Sequence, residues 1–530
     1  MTENRIADNP GGELASVATE IMAALAFRFP VCLSSDEFHF FPQALAKNHR
    51  WSQWDDFSVP AVNDLIEKTI AWETTLERIL SSAPDPETSV DTTVLLRILL
   101  TLREQLSEVG FQKTQPTFYL TIAAIGLAEA LENSPVAFNQ RIETLPRYLD
   151  RAVENLSCIP ELFRDLGVQM AQKIGLWLQT LSCREHDKSD VQAALGRLAG
   201  HLQRIPTTPD FRLPAELYER IAAEHIGCRM TTEKIRIHLQ AEIEETEQIL
   251  NSESRKISSD SSWQQVVAKL PVPALPGNGQ AGLYRAIISD LAQHCRQQKI
   301  APDTLLQNCP VQVTSVPDYM APVRSTAAYS MPPGHPPAGG TFFISSFEKA
   351  AGPPSDYRLL TAHETYPGHH LLDASRWSLK RPLRRHIEFP IFYEGWASFA
   401  EELLFDTGFF AGPTDRILMA KRRYWRAIRG TIDLDIQTGV RSLANAADFL
   451  TRAGLNRDQA TAMVRRYTLK PGYQLCYTIG RRKFKDLYRQ FNGRGKDPAE
   501  FARRVLAQGE IGLDNLAKTI LKESSDAQNY

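Results

Sequence analysis

From Leu14 to Leu250 apolar residues return at every third or fourth position, as in PAVNDLIEKTIAWETTLERIL and VLLRILLTLREQLSEVG. That is the period of an amphipathic helix and not of a strand, where they would alternate. The first half of the chain therefore reads as stacked helices. Proline-containing breaks at 41–43 (FPQ), 82–89 (SAPDPETS) and 204–214 (RIPTTPDFRLP) separate them without a long flexible linker, and no internal repeat emerges. The stretch EKIRIHLQAEIEETEQILNSESRKIS mixes both charge signs at helical spacing, which predicts a long solvated helix in preference to a partner-binding coil.

Composition shifts after that helix. Residues 265–345 are rich in proline, and VQVTSV and GTFFISS gather β-branched and aromatic residues as short strands do. A small sheet is expected here. Helical periodicity resumes at Tyr357, with turns at AGPT and LKPG. The expectation is a mainly α protein of two helical lobes, residues 1–255 and 256–530, with a cleft between them and a small sheet near it.

Charge and cysteine content exclude several classes of partner. The 60 Lys and Arg nearly balance the 62 Asp and Glu, so no overall field would hold the chain on nucleic acid or an anionic membrane. Apolar runs are shorter than the roughly 20 residues of a spanning helix, and the start MTENRIADNPGGELAS lacks a basic segment leading into an apolar one. Seven cysteines (Cys32, Cys158, Cys183, Cys228, Cys295, Cys309, Cys476) are odd in number and never in CxxC spacing, which argues against a disulfide framework or a thiolate metal site. A reducing cytoplasm is the expected compartment.

The chemistry concentrates in His363-Glu364-Thr365-Tyr366-Pro367-Gly368-His369-His370. A helical His-Glu followed by a second His is the arrangement in which two imidazoles ligate zinc and the carboxylate activates water. Here the second histidine is displaced: position 367 is proline, and the candidates His369 and His370 lie six and seven residues after His363. A straight helix would set them about 9–10 Å away along its axis, too far for two bonds of roughly 2 Å to one ion. Ligation thus requires Pro367-Gly368 to distort the helix and compress the turn. The bland alternative is a helix that ends at Tyr366 and leaves the histidines on the surface. Downstream, FPIFYEGWASFAEELL places Glu394 and Glu401 seven residues apart on nearly one helical face, and His-His-Glu with an open fourth position is the pattern of a catalytic zinc site.

HExxPGHH, then EGWAxxAE, then PGYQLxYxIG resemble, in that order, the bacterial family known as DUF885. The likeness extends through LLTAHE, AAYSMPPGHPPAGGTFFISS and the Leu- and Glu-rich helix near 231–250, covering about residues 30–520. It implies a gluzincin-like, two-lobed helical architecture similar to the angiotensin-converting-enzyme and oligopeptidase groups, and a metallopeptidase activity; most members have no known substrate. Carried over by motif, His363, His369 and Glu394 become ligands of one Zn2+ and Glu364 the general base. The position of His370 varies in the family, which favours His369. Glu401 becomes a carboxylate that orients a ligand histidine. One departure stands out: where the family reads roughly RxxRxVVDxGxH, this chain keeps Arg426, Arg429 and Asp433 but has Asp435 for the glycine and Gln437 for the histidine.

The expected reaction is zinc-dependent hydrolysis of a peptide bond in a short peptide, of exopeptidase or dipeptidase type. Glu364 would move the proton, and a phenol, Tyr477 first and Tyr473 in reserve, would face the oxyanion. GTFFISS would hold an extended peptide along its edge. His335 is a candidate substrate contact, and His39 reads as a core or cap residue. An amidase of a small metabolite or biosynthetic intermediate is the alternative, and a non-catalytic helical binding protein a third.

Overall fold

A computed structural model describes the chain apart from residues 1–9, 46–49, 83, 272, 278, 317–326, 345–352, 494–496 and 527–530, together with the side chains of 522–526. Two compact units are formed. The described residues up to Phe211, with Arg381–Ile387, make one; those from Arg212 to Lys380 and from Glu388 on make the other. Both are mainly helical.

The first unit holds seven principal helices: α1 (Pro10–Arg28), α2 (Val59–Ser81), α3 (Pro86–Glu104), α4 (Pro116–Asn133), α5 (Pro135–Asn155), α6 (Glu161–Thr180) and α7 (Glu185–Leu202). Of the proline breaks, that at 82–89 places a proline, Pro86, at the start of α3, where it gives up an amide that has no partner anyway. Asp85 caps α3 by accepting from the amides of Glu87 and Thr88, and Ser134 caps α5 from Ala137. The apolar stripes close on a core that includes Leu25, Leu76, Leu99, Leu149, Leu178 and Leu198, each fully buried and worth about 1.5–3 kcal/mol of transfer free energy. His39 lies half-buried against Phe40 in this core, at 5.7 Å between ring centroids. A two-residue parallel pair, β1 (Ile159–Pro160) with β2 (Thr207–Thr208), completes the unit.

The second unit begins with α8 (Thr232–Ile257) and α9 (Gly279–Gln297), followed by β3 (Val311–Ser315), β4 (Ala328–Ser330) and β5 (Gly340–Ile344). Next come α10 (Tyr357–Glu364), α11 (His369–Ser378), α12 (Pro390–Asp406) and α13 (Gly412–Gln437), then α14 (Leu443–Arg452), α15 (Arg457–Tyr467), α16 (Arg481–Asn492), α17 (Pro498–Gln508) and α18 (Leu513–Asp526). Between α15 and α16, Cys476–Gly480 forms one π-helical turn.

Two expectations are corrected here. The long helix α8 is not solvated all round. Ile235, Leu239, Ile243 and Leu250 are buried, and Glu242, fully buried, accepts from Arg423, Arg481 and Arg482. Its mixed charges face partners on other helices as well as water. The second correction concerns the sheet, whose strand order is β3-β5-β4. GTFFI is its middle strand, parallel to β3 and antiparallel to β4, so both its hydrogen-bonding edges are occupied and it cannot receive an extended peptide.

Among the described residues no helix is long and apolar enough to cross a membrane. All seven cysteines stand unpaired, five of them buried.

Candidate metal centre

Helix α10 ends just after His363, and the way it ends sets the site. Thr365 N makes a regular bond to Thr361 O (2.8 Å), but Pro367 has no amide hydrogen to continue the ladder. Gly368 N instead reaches six residues back to Ala362 O (3.1 Å), and Leu371 N reaches six back to Thr365 O (3.3 Å). Folding residue i+6 over residue i brings His369, the first residue of α11, beside His363: their ring centroids lie 4.7 Å apart at 78°, in place of about 9 Å along a straight helix. The helix is interrupted rather than bulged. Only glycine fits the loop, since a Cβ at 368 would stand 1.9 Å from the His363 carbonyl oxygen and 2.6 Å from that of Ala362. The histidines beyond the turn are buried, not on the surface.

Helix α12 runs beside this loop and is nearly all buried. Glu394 projects its Oε2 to 3.5 Å from His363 Nε2 and 3.4 Å from His369 Nε2. Two turns on, Glu401 Oε1 lies 3.1 Å from His363 Nδ1, while Arg422 and Arg426 hold the same carboxylate at 3.0 and 2.5 Å. A proton on Nδ1 facing Glu401 leaves the Nε2 lone pair facing Glu394, a tautomer assigned from the network. Two neighbours of Glu394 hold the loop itself. Trp396 Nε1 donates to Pro367 O (2.9 Å), and the Tyr393 ring stacks on His369 at 4.0 Å and 22°.

The third motif meets the second through glycine. A Cβ on Gly395 would stand 2.7 Å from Gly480 Cα, and one on Gly480 would stand 2.3 Å from Ile391 O, so α12 and the π turn touch backbone to backbone. This contact sets the YQLCYTIG segment against Glu394. Asp433 on α13 accepts from Gly472 N (3.2 Å) and Gln474 N (2.9 Å), clamping the residue between them: Tyr473, whose hydroxyl donates to Glu394 Oε1 at 2.8 Å. Tyr477 lies near parallel to the His363 ring, 6.4 Å away, with the Arg429 guanidinium 4.7 Å from its centroid. Both phenols thus stand at the candidate site, and burial together with the charge of Glu394 pushes both hydroxyls well above the ordinary tyrosine range.

The carboxylates differ in electrostatics. Burial would raise Glu394, but His363 and His369, when they carry a proton on the nitrogen that faces it, more than offset this and hold it well below the usual range. Glu401 is likewise held low, burial being outweighed by Arg422 and Arg426. Glu364 goes the other way: burial lifts it to about 7, against the pull of His369 and with Glu394 adding to the rise. Glu394 Oε2 and His369 Nδ1 are buried with no hydrogen-bond partner.

One ligand atom each from His363, His369 and Glu394 fall within 4.8 Å of one another. Two imidazole nitrogens and a carboxylate oxygen, one of them buried without a hydrogen bond, suit zinc, and three protein ligands leave a fourth position. His370 takes no part: its Nδ1 meets the Tyr329 hydroxyl (2.9 Å) and its Nε2 the Cys309 carbonyl (2.9 Å), tying α11 to β4. Burial depresses it to about 4, which keeps the ring neutral. His335 Nδ1 lies 2.6 Å from Trp377 O, so one ring nitrogen is engaged by the protein's own backbone. Gln437 is buried with its Nε2 unpartnered, and Asp435 is ion-paired with Arg236 and Arg441.

Sequence reading missed Arg422, Tyr393, Trp396 and the Gly395–Gly480 contact. Only the arginines in KRRYWRAIR at helical spacing gave a signal, and it named no partner.

The profile of a family described as "Bacterial protein of unknown function (DUF885)" matches residues 44–520. Two solved structures share the fold. A "putative lipoprotein" from Colwellia psychrerythraea superposes with a TM-score of 0.80 at 15% identity, covering 98% of this chain and 100% of its own. A "putative lipoprotein of unknown function" from Shewanella oneidensis gives 0.73 at 15% identity, covering 96% and 99%. A comparison with curated proteins found no match. On the family match over most of its length, together with the three interlocking motifs, the chain belongs to the DUF885 family.

Proposed function

We propose that this protein is a zinc-dependent hydrolase that cleaves a peptide bond in short peptides, with the helical architecture of the gluzincins. The reading rests on one observation above all: His363, His369 and Glu394 converge in a buried site where Glu394 Oε2 has no hydrogen bond, with the Glu364 carboxyl buried beside them. His363, His369 and Glu394 would hold the metal. When bound, zinc polarises water and a carbonyl oxygen, lowering the cost of forming a nucleophile at neutral pH. Glu364, buried beside His363, takes the proton from the attacking water and returns it to the leaving nitrogen. Tyr473 and Tyr477 offer hydroxyls to the charge that develops on the carbonyl oxygen. Glu401 keeps His363 in its working tautomer.

Short peptides are the proposed substrates, and exopeptidase or dipeptidase action the proposed mode. Asp435 and Gln437, standing where the family pattern has glycine and histidine, give a reason to keep a second reading, an amidase for a small metabolite. Neither nucleic acid nor membrane is a proposed partner, and cytoplasm is the proposed compartment, consistent with seven unpaired thiols.

Incubating the zinc-loaded protein with a panel of dipeptides and tripeptides, read by mass spectrometry, tests the reading. Cleavage that falls by more than about 100-fold in Glu364→Gln, with zinc retained, is expected for a lost general base. Zinc-loaded protein that cleaves none of them argues for the amidase, and cleavage unchanged in Glu364→Gln removes the proposed mechanism.

A further inference from the structure

Helix α13 turns Arg422, Arg426 and Arg429 to one side, at spacings of four and three. The first two are matched by acids: Arg422 pairs with Asp356 and Glu401, and Arg426 with Glu401. Arg429 has no carboxylate in ion-pair contact among the described residues. Its Nε donates to Gln474 Oε1 at 2.9 Å and its Nη2 to the same oxygen. The Tyr477 and Tyr467 rings lie 4.7 and 5.9 Å from the guanidinium carbon. Nearby Asp433 spends its two oxygens on the amides of Gly472 and Gln474.

These contacts fix the position of Arg429, and the carboxylates that act on its charge, Glu394 and Asp433, do so from beyond ion-pair distance. An amide oxygen and two phenol rings supply partial charges, whereas a guanidinium drawn half out of water is stabilised most by a planar anion. The place is also telling. Tyr473 touches Glu394 while its neighbour Gln474 holds Arg429, and Tyr477 neighbours both the His363 ring and the guanidinium. Arg429 therefore shares Tyr477 as a neighbour with His363, a candidate metal ligand.

We propose that Arg429 receives a carboxylate of the substrate and so determines specificity, in a site whose hydrolytic role rests on the reading above. The carboxylate has two sources: the α-carboxylate at a peptide's C-terminus, which would make the enzyme trim from that end, or an acidic side chain.

The test is equilibrium binding to the zinc-loaded full chain, by calorimetry, of Gly-Phe, Gly-Phe-amide and Gly-Glu-amide, for wild type, Arg429→Gln and Arg429→Lys. Zinc content, measured alongside, is expected to be equal in all three proteins. Wild type is expected to bind Gly-Phe at least about 10-fold more tightly than its amide. That preference should vanish in Arg429→Gln and be partly restored in Arg429→Lys. A preference for Gly-Glu-amide over Gly-Phe-amide, lost in Arg429→Gln, would support the same residue with the side-chain source. No preference in wild type, no binding of any of the three, or a preference that survives in Arg429→Gln overturns the proposal. Carboxylate-selective binding without hydrolysis would remove the peptidase reading and leave Arg429's role standing; hydrolysis indifferent to the carboxylate would do the reverse.

Discussion

Two buried glutamates of the second unit, Glu242 on α8 and Glu394 on α12, live in opposite surroundings. Glu242 meets Arg423 Nε at 2.7 Å on one oxygen, and Arg481 and Arg482 at 2.5 and 3.2 Å on the other. Glu394 has a phenol on one oxygen and, around the other, two imidazoles at 3.4 and 3.5 Å but no hydrogen bond. A buried carboxylate closed by the protein's own cations is a clamp. One that keeps an oxygen free of hydrogen bonds beside two imidazole nitrogens has the donor set that a zinc ion would take. The seam between α8 and α13 therefore supports the fold, and the site on α12 is where the proposed chemistry would take place.

Exchanging the two roles should give the largest effects. In Glu394→Gln zinc content is expected to drop by more than about tenfold, because one of three ligands has lost its charge, with the fold otherwise kept. Glu242→Gln should retain zinc but cost about 1–3 kcal/mol in urea unfolding, since Arg423 and Arg481 lose their shared carboxylate and keep only Glu245 and Glu402. Zinc lost in the second variant and kept in the first would erase the distinction.

Gly368→Ala is expected to do both, losing zinc and at least about 3 kcal/mol, since its Cβ meets backbone that cannot move without reopening the six-residue loop. A stable, zinc-loaded alanine variant would show that the loop is not what unites the histidines.

Smaller and more selective, Glu401→Gln should weaken zinc binding by roughly 10–100-fold in a chelator competition, while His370→Phe leaves zinc affinity unchanged and costs about 1–2 kcal/mol in lost hydrogen bonds. The reverse ranking would mean that the wrong histidine has been placed at the metal.

The two kinds of buried acid also differ in pH dependence. Glu242 is held below its ordinary value: burial pushes it up, but Arg481 and Arg423 outweigh that, so its contribution is present above the unfolded value of 4.5 and fades as pH falls through the lower folded one. Asp433 is lifted by burial from 3.8 to about 7, against the amides of Gln474 and Gly472, so the folded chain binds the extra proton. Its contribution is full below the unfolded value and lost as pH rises towards about 7, with a slope no steeper than about 1.4 kcal/mol per pH unit. Comparing unfolding of wild type and Asp433→Asn from pH 4 to 8 should show that slope removed; parallel curves would assign the titration elsewhere.

Much of this was legible in the sequence, because periodicity and motif spacing are local. Apolar recurrence located the helices, and the spacing in HExxPGHH announced that a straight helix would not serve. What was not legible depended on partners distant in sequence. The charges on α8 look solvated until Arg423 and Arg481 arrive from other helices to bury Glu242. GTFFI reads as any strand, and only pairing with β3 and β4 makes it the middle one. Tyr393, Trp396 and Gly395 appear as ordinary members of an apolar helix. Their stacking on His369, bond to Pro367 and contact with Gly480 exist only in three dimensions.

The most direct measurement is elemental analysis of protein purified without added metal and then supplied with zinc, comparing wild type with His363→Ala, His369→Ala, His370→Ala and Glu394→Ala. About one zinc per chain in wild type and in the 370 variant, and none in the other three, is the expected result for a three-ligand site. A wild type that stays metal-free after zinc is supplied would contradict the account and leave a helical binding protein as the better description.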